Sequence, residues 1–301
     1  MVGKLLPKRL KRYLIDEFGW LMQVAMPDVL ARSVPGYRGY LPQAPHSDCF
    51  AVPKVPAEGE HHPATRFQVP PKDLWLGYGQ TEGDYLSSGR DDVGILSDLL
   101  GVSGTSFDAC RRLLDFGCGA GRVTRWLDAW ADRCEVWGTD ISAQHISWCQ
   151  QHLTPPLHFA TTTIFPHLPF EDRYFDVIYA GSVFTHIDDL ADAWFLELRR
   201  LLSPGGRLFL TVHDRKTVSI LANADDTRWW VVRYRKQLNR YPDYDTFSRS
   251  DFGMFTIGRS IRSEVFYDVA FLERKLRPLF RVRSVTEQAY GYQTALVLER
   301  I

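Results

Sequence analysis

The chain has 301 residues, 45% of them hydrophobic, which is enough for one large domain or two modest ones. Its 36 basic and 36 acidic residues give a formal net charge of zero, so composition predicts neither a nucleic-acid partner nor a strongly charged surface partner. No apolar run reaches about 18 residues, and a membrane-spanning helix is therefore not predicted.

Cysteine usage and the N-terminus indicate a cytoplasmic protein. The five cysteines are odd in number and form no CxxC pair, which is typical of reduced thiols. The basic start of the chain resembles a signal peptide. However, Asp16 and Glu17 interrupt its apolar stretch, and no small-residue cleavage site follows.

Residues 1–34 are predicted to contain a basic amphipathic helix. Within residues 4–26, apolar side chains recur at spacings of three and four, which places them on one helical face. Five basic residues crowd the start of this helix, so peripheral membrane contact is one interpretation. We favour the alternative, in which the helix packs against the main domain.

Residues 35–71 contain eight of the seventeen prolines and show little periodicity, which indicates an extended arm or a linker. The stretch includes His46, Cys49, His61 and His62. A zinc site needs tighter pairs, such as CxxC with HxxxH, so these are predicted to be loop residues and no metal site is expected.

From about residue 90 the pattern alternates between strand and helix. The strand-like runs are 111–116, 135–139, 157–160, 175–181 and 206–213. Helical patterns lie between them at 121–131, 142–152 and 188–202. This alternation predicts an α/β fold, in which a mostly parallel sheet carries helices on both faces. Two last runs, 281–288 and 293–300, predict a C-terminal antiparallel hairpin and bring the sheet to seven strands.

A glycine-dense turn follows the first of these strands and contains Gly117, Gly119 and Gly121. A phosphate-binding P-loop would need GxxxxGK followed by Ser or Thr, and a dinucleotide fingerprint would need a glycine where Arg122 stands. Asp140 ends the next strand, where its carboxylate can accept hydrogen bonds from a ribose diol. The sequence therefore predicts a ligand that carries a ribose but requires no diphosphate site.

Four segments, in this order, resemble the class I S-adenosylmethionine-dependent methyltransferases. They read LLDFGCGAGRV, VWGTDIS, LPFEDRYFDVIYAGSVFTHI and LRRLLSPGGRLFLTVHD. The resemblance implies a Rossmann-like methyltransferase domain over residues 90–301, with S-adenosylmethionine as the cofactor and methyl transfer as the activity. Residues 35–89 would then comprise the proline-rich arm and a segment that covers the cofactor.

The resemblance also implies which residues contact the cofactor. They are Asp115, Gly117, Cys118, Gly119, Gly121, Asp140, Ile141, Thr162, Gly181 and Ser182. Asp115 and Gly117 would lie against the methionine end, Asp140 would hold the ribose hydroxyls, and Ile141 would lie beside the adenine. Many relatives have an acid after the third strand that binds adenine. This chain has threonines there, so Thr162 or a backbone group would take that role.

Two histidines are candidate general bases, because ligands of such sheets bind at the carboxyl ends of the strands. His213 follows strand five and is the preferred base. His186 follows strand four and is the second candidate, with a helix-capping or cofactor-side role as its alternative. Asp214 adjoins His213, but neighbouring residues of a strand face opposite ways and need not pair.

Substrate-binding residues are predicted in the covering segment, in residues 214–280 and in the C-terminal turn. The candidates are Tyr78, Tyr85, Arg90, Trp229 and Tyr292. Residues 214–280 would form the substrate-specific insertion or lid that the family places after strand five. For most residues near 229–238 the alternative is an amphipathic helix with Trp229, Val232 and Leu238 facing inward.

The acceptor is expected to be a small-molecule or sugar-containing metabolite, methylated at oxygen or nitrogen. Asn/Asp-Pro-Pro-Tyr/Phe does not follow strand four and no Pro-Cys pair is present, so nucleic-acid bases are disfavoured. Two alternatives remain. One is methylation of a protein or glycan, with the arm and basic helix as a docking surface. The other is a non-catalytic interaction protein that binds the cofactor.

Overall fold

The computed structural model describes residues 65–241, 244, 250–258 and 263–301. The predicted basic helix and residues 35–64 of the proline-rich arm lie outside the described residues, as do His46, Cys49, His61 and His62. Within the described ranges, no helix combines the length and apolar character needed to cross a bilayer.

The described chain alternates strands and helices. The strands are β1 (Arg112–Phe116), β2 (Glu135–Asp140), β3 (His158–Thr161), β4 (Phe175–Ala180), β5 (Leu202–Asp214), β6 (Met254–Ile257), β7 (Glu264–Tyr267), β8 (Phe280–Tyr290) and β9 (Gln293–Arg300). The helices are α1 (Glu82–Val102), α2 (Ala143–His152), α3 (Ala191–Leu201), α4 (Arg215–Ala222), α5 (Trp229–Leu238) and α6 (Val269–Leu276). A 3₁₀ segment, Thr124–Trp130, takes the place of the helix predicted over 121–131.

The sheet confirms the predicted α/β fold and its C-terminal antiparallel hairpin. Strands β3, β2, β1, β4 and β5 lie side by side and parallel. Strand β9 then pairs antiparallel with β5, and β8 pairs antiparallel with β9. These are the seven strands that the sequence predicts.

The strand count is nine rather than seven, because the segment after β5 adds β6 and β7. These two strands pair antiparallel with each other, and β7 pairs parallel with the last two residues of β5. Each is only four residues long. Runs this short have no periodicity that separates a strand from a loop, which is why the sequence pattern missed them.

The core forms two layers, one on each face of the sheet. In β1, Leu113 packs in one layer with Leu96 of α1, and Leu114 packs in the other with Phe195 of α3. Both layers cover β1, whose residues from Leu113 to Phe116 are all buried. Because helices cover both faces, the carboxyl ends of the parallel strands remain as the edge where a ligand can enter.

Helix α1 begins at Glu82, within the segment that is predicted to cover the cofactor. A capping box starts it: Asp84 donates its N–H to the Thr81 hydroxyl, and the Asp84 carboxylate accepts from the Thr81 N–H. The predicted boundary at residues 89/90 therefore falls inside a continuous helix. The signal for this helix start is present in the sequence as Thr-x-x-Asp.

Helix α5 confirms the amphipathic alternative and the burial of Leu238, but Trp229 and Val232 do not face inward as predicted. Val231, Tyr234 and Leu238 are buried, whereas Trp229 is 50% exposed and Val232 is 45% exposed. Apolar residues occupy both possible faces of this helix, so spacing alone could not choose between them. The packing of Tyr234 against the end of β5 decides the outcome.

Candidate functional site

The glycine turn after β1 is tied to the end of β2. The N–H groups of Gly117 and Cys118 both donate to the Thr139 carbonyl, at 2.7 and 3.0 Å. Gly117 has φ +84°, and a Cβ there would lie 2.4 Å from the side chain of Val183. Only glycine meets both conditions without strain, so this position is set by backbone geometry.

Asp140 connects the turn to the carboxyl end of β2. One carboxylate oxygen accepts from the Gly119 N–H at 2.8 Å and the other from the Ser142 N–H at 2.7 Å. Each oxygen has a second lone pair, so both remain able to accept a hydrogen bond from a diol. Burial raises the pKa of Asp140, and the backbone N–H groups of Ser142 and Gly119 oppose this shift.

The predicted adenine-side residues lie beside Asp140. Thr162 is buried, and its N–H donates to the Asp140 carbonyl at 2.9 Å. Ile141 is 44% exposed and follows the strand end directly. An exposed isoleucine at the edge of the sheet offers an apolar surface to a flat ring.

A cavity lies at the carboxyl ends of β1 and β4. Its lining is Leu74, Trp75, Leu76, Tyr78, Tyr85, Asp115, Gly117, Cys118, Gly119, Ala120, Arg122, Val123, Tyr179, Gly181 and Tyr290. The segment before α1 supplies one wall: the Trp75 ring stacks on Tyr85 at 5.2 Å and its indole N–H donates to the Pro70 carbonyl at 2.7 Å. The aromatic segment therefore stands over the glycine turn.

Asp115 is the buried acid of this cavity. It is 1% exposed and accepts from the Thr124 hydroxyl at 2.6 Å. Burial raises the pKa of Asp115 to about 7, although Thr124 and Arg122 oppose the shift. A positively charged ligand group beside this carboxyl would lower its pKa, because a nearby positive charge favours the ionised form.

Arg122 is a wall residue whose role the sequence did not indicate. Its guanidinium pairs with Asp92 at 2.6 Å, stacks over the Tyr78 ring at 3.8 Å and donates to the Tyr290 hydroxyl. From the sequence alone, Arg122 only indicated that the glycine turn is not a dinucleotide-binding fingerprint. Its partners come from α1, the covering segment and β8, which are far apart along the chain.

The end of β4 is held by a polar network. The Ser182 N–H donates to the Thr211 hydroxyl at 2.7 Å, and the Thr211 hydroxyl donates to Gln293 Oε1 at 2.6 Å. The Gln293 amide then donates to the Ser182 hydroxyl at 2.9 Å. This closed ring fixes Ser182 in its left-handed conformation, with φ +58°. Gln293 and Thr211 have no sequence signal, because single polar residues in strands are common.

His213 lies farther along β5 on the same face as Thr211, since strand residues two apart share a face. It is 1% exposed, and its ring packs against Phe266 at 5.0 Å and Tyr292 at 5.5 Å. Burial lowers the pKa of His213 well below its usual value, and nearby His186 adds to the shift. The imidazole is therefore neutral at neutral pH.

Asp214 and His186 each have partners other than His213 in hydrogen bonding. Asp214 does not pair with His213: it accepts from the Thr217 N–H at 2.9 Å and from the Thr294 hydroxyl at 2.5 Å, and it caps α4. His186 has a side chain that is 44% exposed, and its Nδ1 lies 2.8 Å from the Ser263 carbonyl. His186 is thus anchored to the start of β7.

The structure brings most of the predicted site residues to one edge of the sheet. Those that line the cavity are Asp115, Gly117, Cys118, Gly119, Gly181, Tyr78 and Tyr85. Gly121 instead faces the core, where a Cβ would lie 2.4 Å from Leu153. Arg90 is exposed and stacks on Trp126, outside the cavity lining. Trp229 is exposed, and it is the neighbouring Trp230 that stacks on Tyr292, at 4.9 Å.

The parallel order of the sheet, its antiparallel end and the glycine turn with Asp140 define a methyltransferase domain. Residues 114–210 match the family described as a methyltransferase domain. This segment therefore carries a class I S-adenosylmethionine-dependent methyltransferase domain, a type whose cofactor is S-adenosylmethionine. The family and cofactor predicted from the sequence are confirmed.

Individual relatives resemble part of the chain. It is 30% identical over 131 residues to a malonyl-[acyl-carrier protein] O-methyltransferase of Enterobacter lignolyticus, a match that covers 43% of this chain and 48% of that protein. It is 32% identical over 142 residues to methyltransferase GfsG of Streptomyces halstedii, covering 45% of this chain and 50% of the relative. The chain thus spans about half the length of these curated relatives.

The fold also resembles a solved structure. The PH0226 protein from Pyrococcus horikoshii superposes with a TM-score of 0.52 at 18% identity, over 76% of this chain and 95% of that one. The similarity extends beyond the segment matched in sequence and supports the fold of the whole described domain.

The cavity residues fit the family's cofactor. Asp140 presents both carboxylate oxygens for ribose hydroxyls, and Asp115 is a buried acid suited to an ammonium group. The Tyr85 hydroxyl is buried in the same lining and has no hydrogen-bond partner among the described residues. A buried hydroxyl without a partner is costly, so a ligand polar group there would be stabilising.

Proposed function

We propose that this chain transfers a methyl group from S-adenosylmethionine to an oxygen or nitrogen of a small-molecule or sugar-containing metabolite. S-adenosylmethionine supplies an activated methyl group on a sulfonium. The protein must therefore align the acceptor, exclude water and remove a proton. The relative named as an O-methyltransferase supports an oxygen acceptor.

The observation that carries the proposal is the protonation state of His213 and its position in the fold. It is buried at the carboxyl end of β5, is held neutral, and has an Nε2 with no partner among the described residues. A neutral imidazole with a free lone pair can act as a general base. His186 is the second candidate, because it lies at the end of the neighbouring strand but is half-exposed.

We also propose where in the cell the reaction takes place and how water is excluded from it. The four cysteines of the described ranges are unpaired and buried, which supports a reducing, cytoplasmic location. The aromatic segment from Trp75 to Tyr78 would keep water from the reacting atoms, since its side chains already line the cavity. The metabolite would enter between this segment and Tyr292.

The experiment is a screen of hydroxyl- and amine-bearing metabolites with isotopically labelled S-adenosylmethionine, read by product mass. The expected result is a product heavier by one labelled methyl group, with turnover by His213→Gln at least tenfold lower and turnover by His186→Gln less affected. Full activity of His213→Gln would remove this residue from the reaction, and a product methylated at carbon would contradict the acceptor class.

A further inference from the structure

A buried carboxylate lies between the two candidate bases. Glu264, the first residue of β7, is 6% exposed. Its Oε2 lies 3.8 Å from His213 Nδ1 and 3.9 Å from His186 Nδ1. The Tyr234 hydroxyl of α5 donates to the same oxygen at 2.6 Å, and Gln237 donates to Oε1 at 3.2 Å. Four elements far apart in sequence thus meet at one acid.

The hydrogen bonds of Tyr234 determine where His213 carries its proton. The Tyr234 hydroxyl has one hydrogen and gives it to Glu264, so toward His213 its oxygen can only accept. His213 Nδ1 lies 3.2 Å from that oxygen and must therefore be the protonated ring nitrogen. Nε2 then keeps its lone pair, and it is buried without a partner among the described residues.

We propose that Tyr234 and Glu264 are positioning residues for His213. Tyr234 holds the tautomer whose Nε2 can accept a proton, and Glu264 stabilises the imidazolium that results. This inference rests on the proposed function, which makes His213 the base. In the reaction the acceptor's O–H or N–H bond breaks and its proton bonds to Nε2. The acceptor atom bonds to the methyl carbon as the carbon–sulfur bond breaks, with that electron pair left on sulfur.

Charge explains why the acid is needed. The positive charge moves from the sulfonium to His213, a ring that burial alone would keep neutral. The titratable groups that face Glu264 are His186 after β4, His213 of β5, Tyr234 of α5 and Tyr292 after β8. Burial raises the pKa of Glu264, while His186 and the hydrogen bonds from Tyr234 and Gln237 lower it. The carboxylate oxygen lies 3.8 Å from the ring, close enough for its negative charge to balance an imidazolium.

The first test reads the tautomer directly and needs no acceptor. Nitrogen-15 spectra of the histidine rings would be recorded at neutral pH, with the His213 signals assigned by their loss in His213→Gln. We expect Nδ1–H in the wild type and a shift to Nε2–H in Tyr234→Phe. The matched control is Tyr267→Phe, a buried tyrosine on β7 whose hydroxyl has no partner among the described residues. It should leave the spectrum of His213 unchanged.

The second test separates the charge of Glu264 from its hydrogen bond. Glu264→Gln still offers an oxygen to Tyr234, so the His213 tautomer should persist. We expect kcat to fall at least tenfold and the acid limb of the kcat–pH profile to move to lower pH, because the imidazolium has lost its balancing charge.

Three results would overturn the inference: Nε2–H on wild-type His213, an unchanged tautomer in Tyr234→Phe, or an unchanged pH profile in Glu264→Gln. If the wild type transfers no methyl group to any acceptor, the proposed function fails. The nitrogen-15 spectra still decide whether Tyr234 sets the tautomer.

Discussion

Two charged side chains of the cavity wall have properties that come from burial rather than from residue type. Asp115 is an acid with a raised pKa. Arg122 is a cation that pairs with Asp92 and donates a hydrogen bond to Tyr290. Neither could be foreseen from the sequence, because the cause in each case is a set of neighbours from distant segments. The properties of both residues lead to predictions that can be tested without a methyl acceptor.

Asp115 should make the stability of the cofactor-free protein fall as pH rises from about 4 to 7. Its pKa is about 7 in the folded protein and 3.8 for an aspartate in an unfolded chain, so between these values the folded state binds more protons. Stability therefore decreases with pH in this window, by a total on the order of 4 kcal/mol from this group. Urea unfolding at several pH values should show that Asp115→Asn removes this slope. An identical slope in the variant would contradict the assignment.

Arg122 should be far more costly to remove alone than together with its partner. Arg122→Met leaves the largely buried Asp92 without its counter-charge, and we expect a loss of roughly 3 kcal/mol in the free energy of unfolding. Adding Asp92→Asn to the same chain should recover part of that loss. Urea unfolding of the two single variants and the double variant measures this coupling. Simple additivity would show that the ion pair does not matter.

At the scale of elements, the main strands of the sheet could be predicted from the sequence pattern, whereas several segments around the site could not. Strands β1, β2, β4 and β5 were predicted, because each contains a short apolar run where the sheet is covered on both faces. Strands β6 and β7 and the start of α1 were missed. Four-residue strands carry no period, and the covering segment is determined by aromatic contacts such as Trp75 on Tyr85.

The buried face of α5 can be tested by truncating one residue from each side. Trp229→Ala should change the free energy of unfolding by no more than about 0.5 kcal/mol, because half of this side chain is exposed. Leu238→Ala should cost about 2–5 kcal/mol, since Leu238 is fully buried. Equal losses in the two variants would contradict the packing described for this helix.

For the whole molecule, the sequence was sufficient to predict the fold class and the cofactor, and the edge of the sheet that would bind this cofactor stays a prediction. The glycine turn and Asp140 carry this information because their roles depend on backbone geometry and on their place at strand ends. The surroundings of His213 could not be predicted. Tyr234 and Glu264 reach His213 from two separate elements, and each is an ordinary residue in its own segment.

The central claim is that the edge formed by the glycine turn and Asp140 binds S-adenosylmethionine. The most direct measurement is a calorimetric titration of the wild type and of Asp140→Ala with S-adenosylmethionine, with the fold of the variant checked by circular dichroism. We predict binding by the wild type and at least tenfold weaker binding by the variant, because two charge-assisted hydrogen bonds to the ribose are lost. No binding by a folded wild type, or equal binding by the variant, would contradict the account.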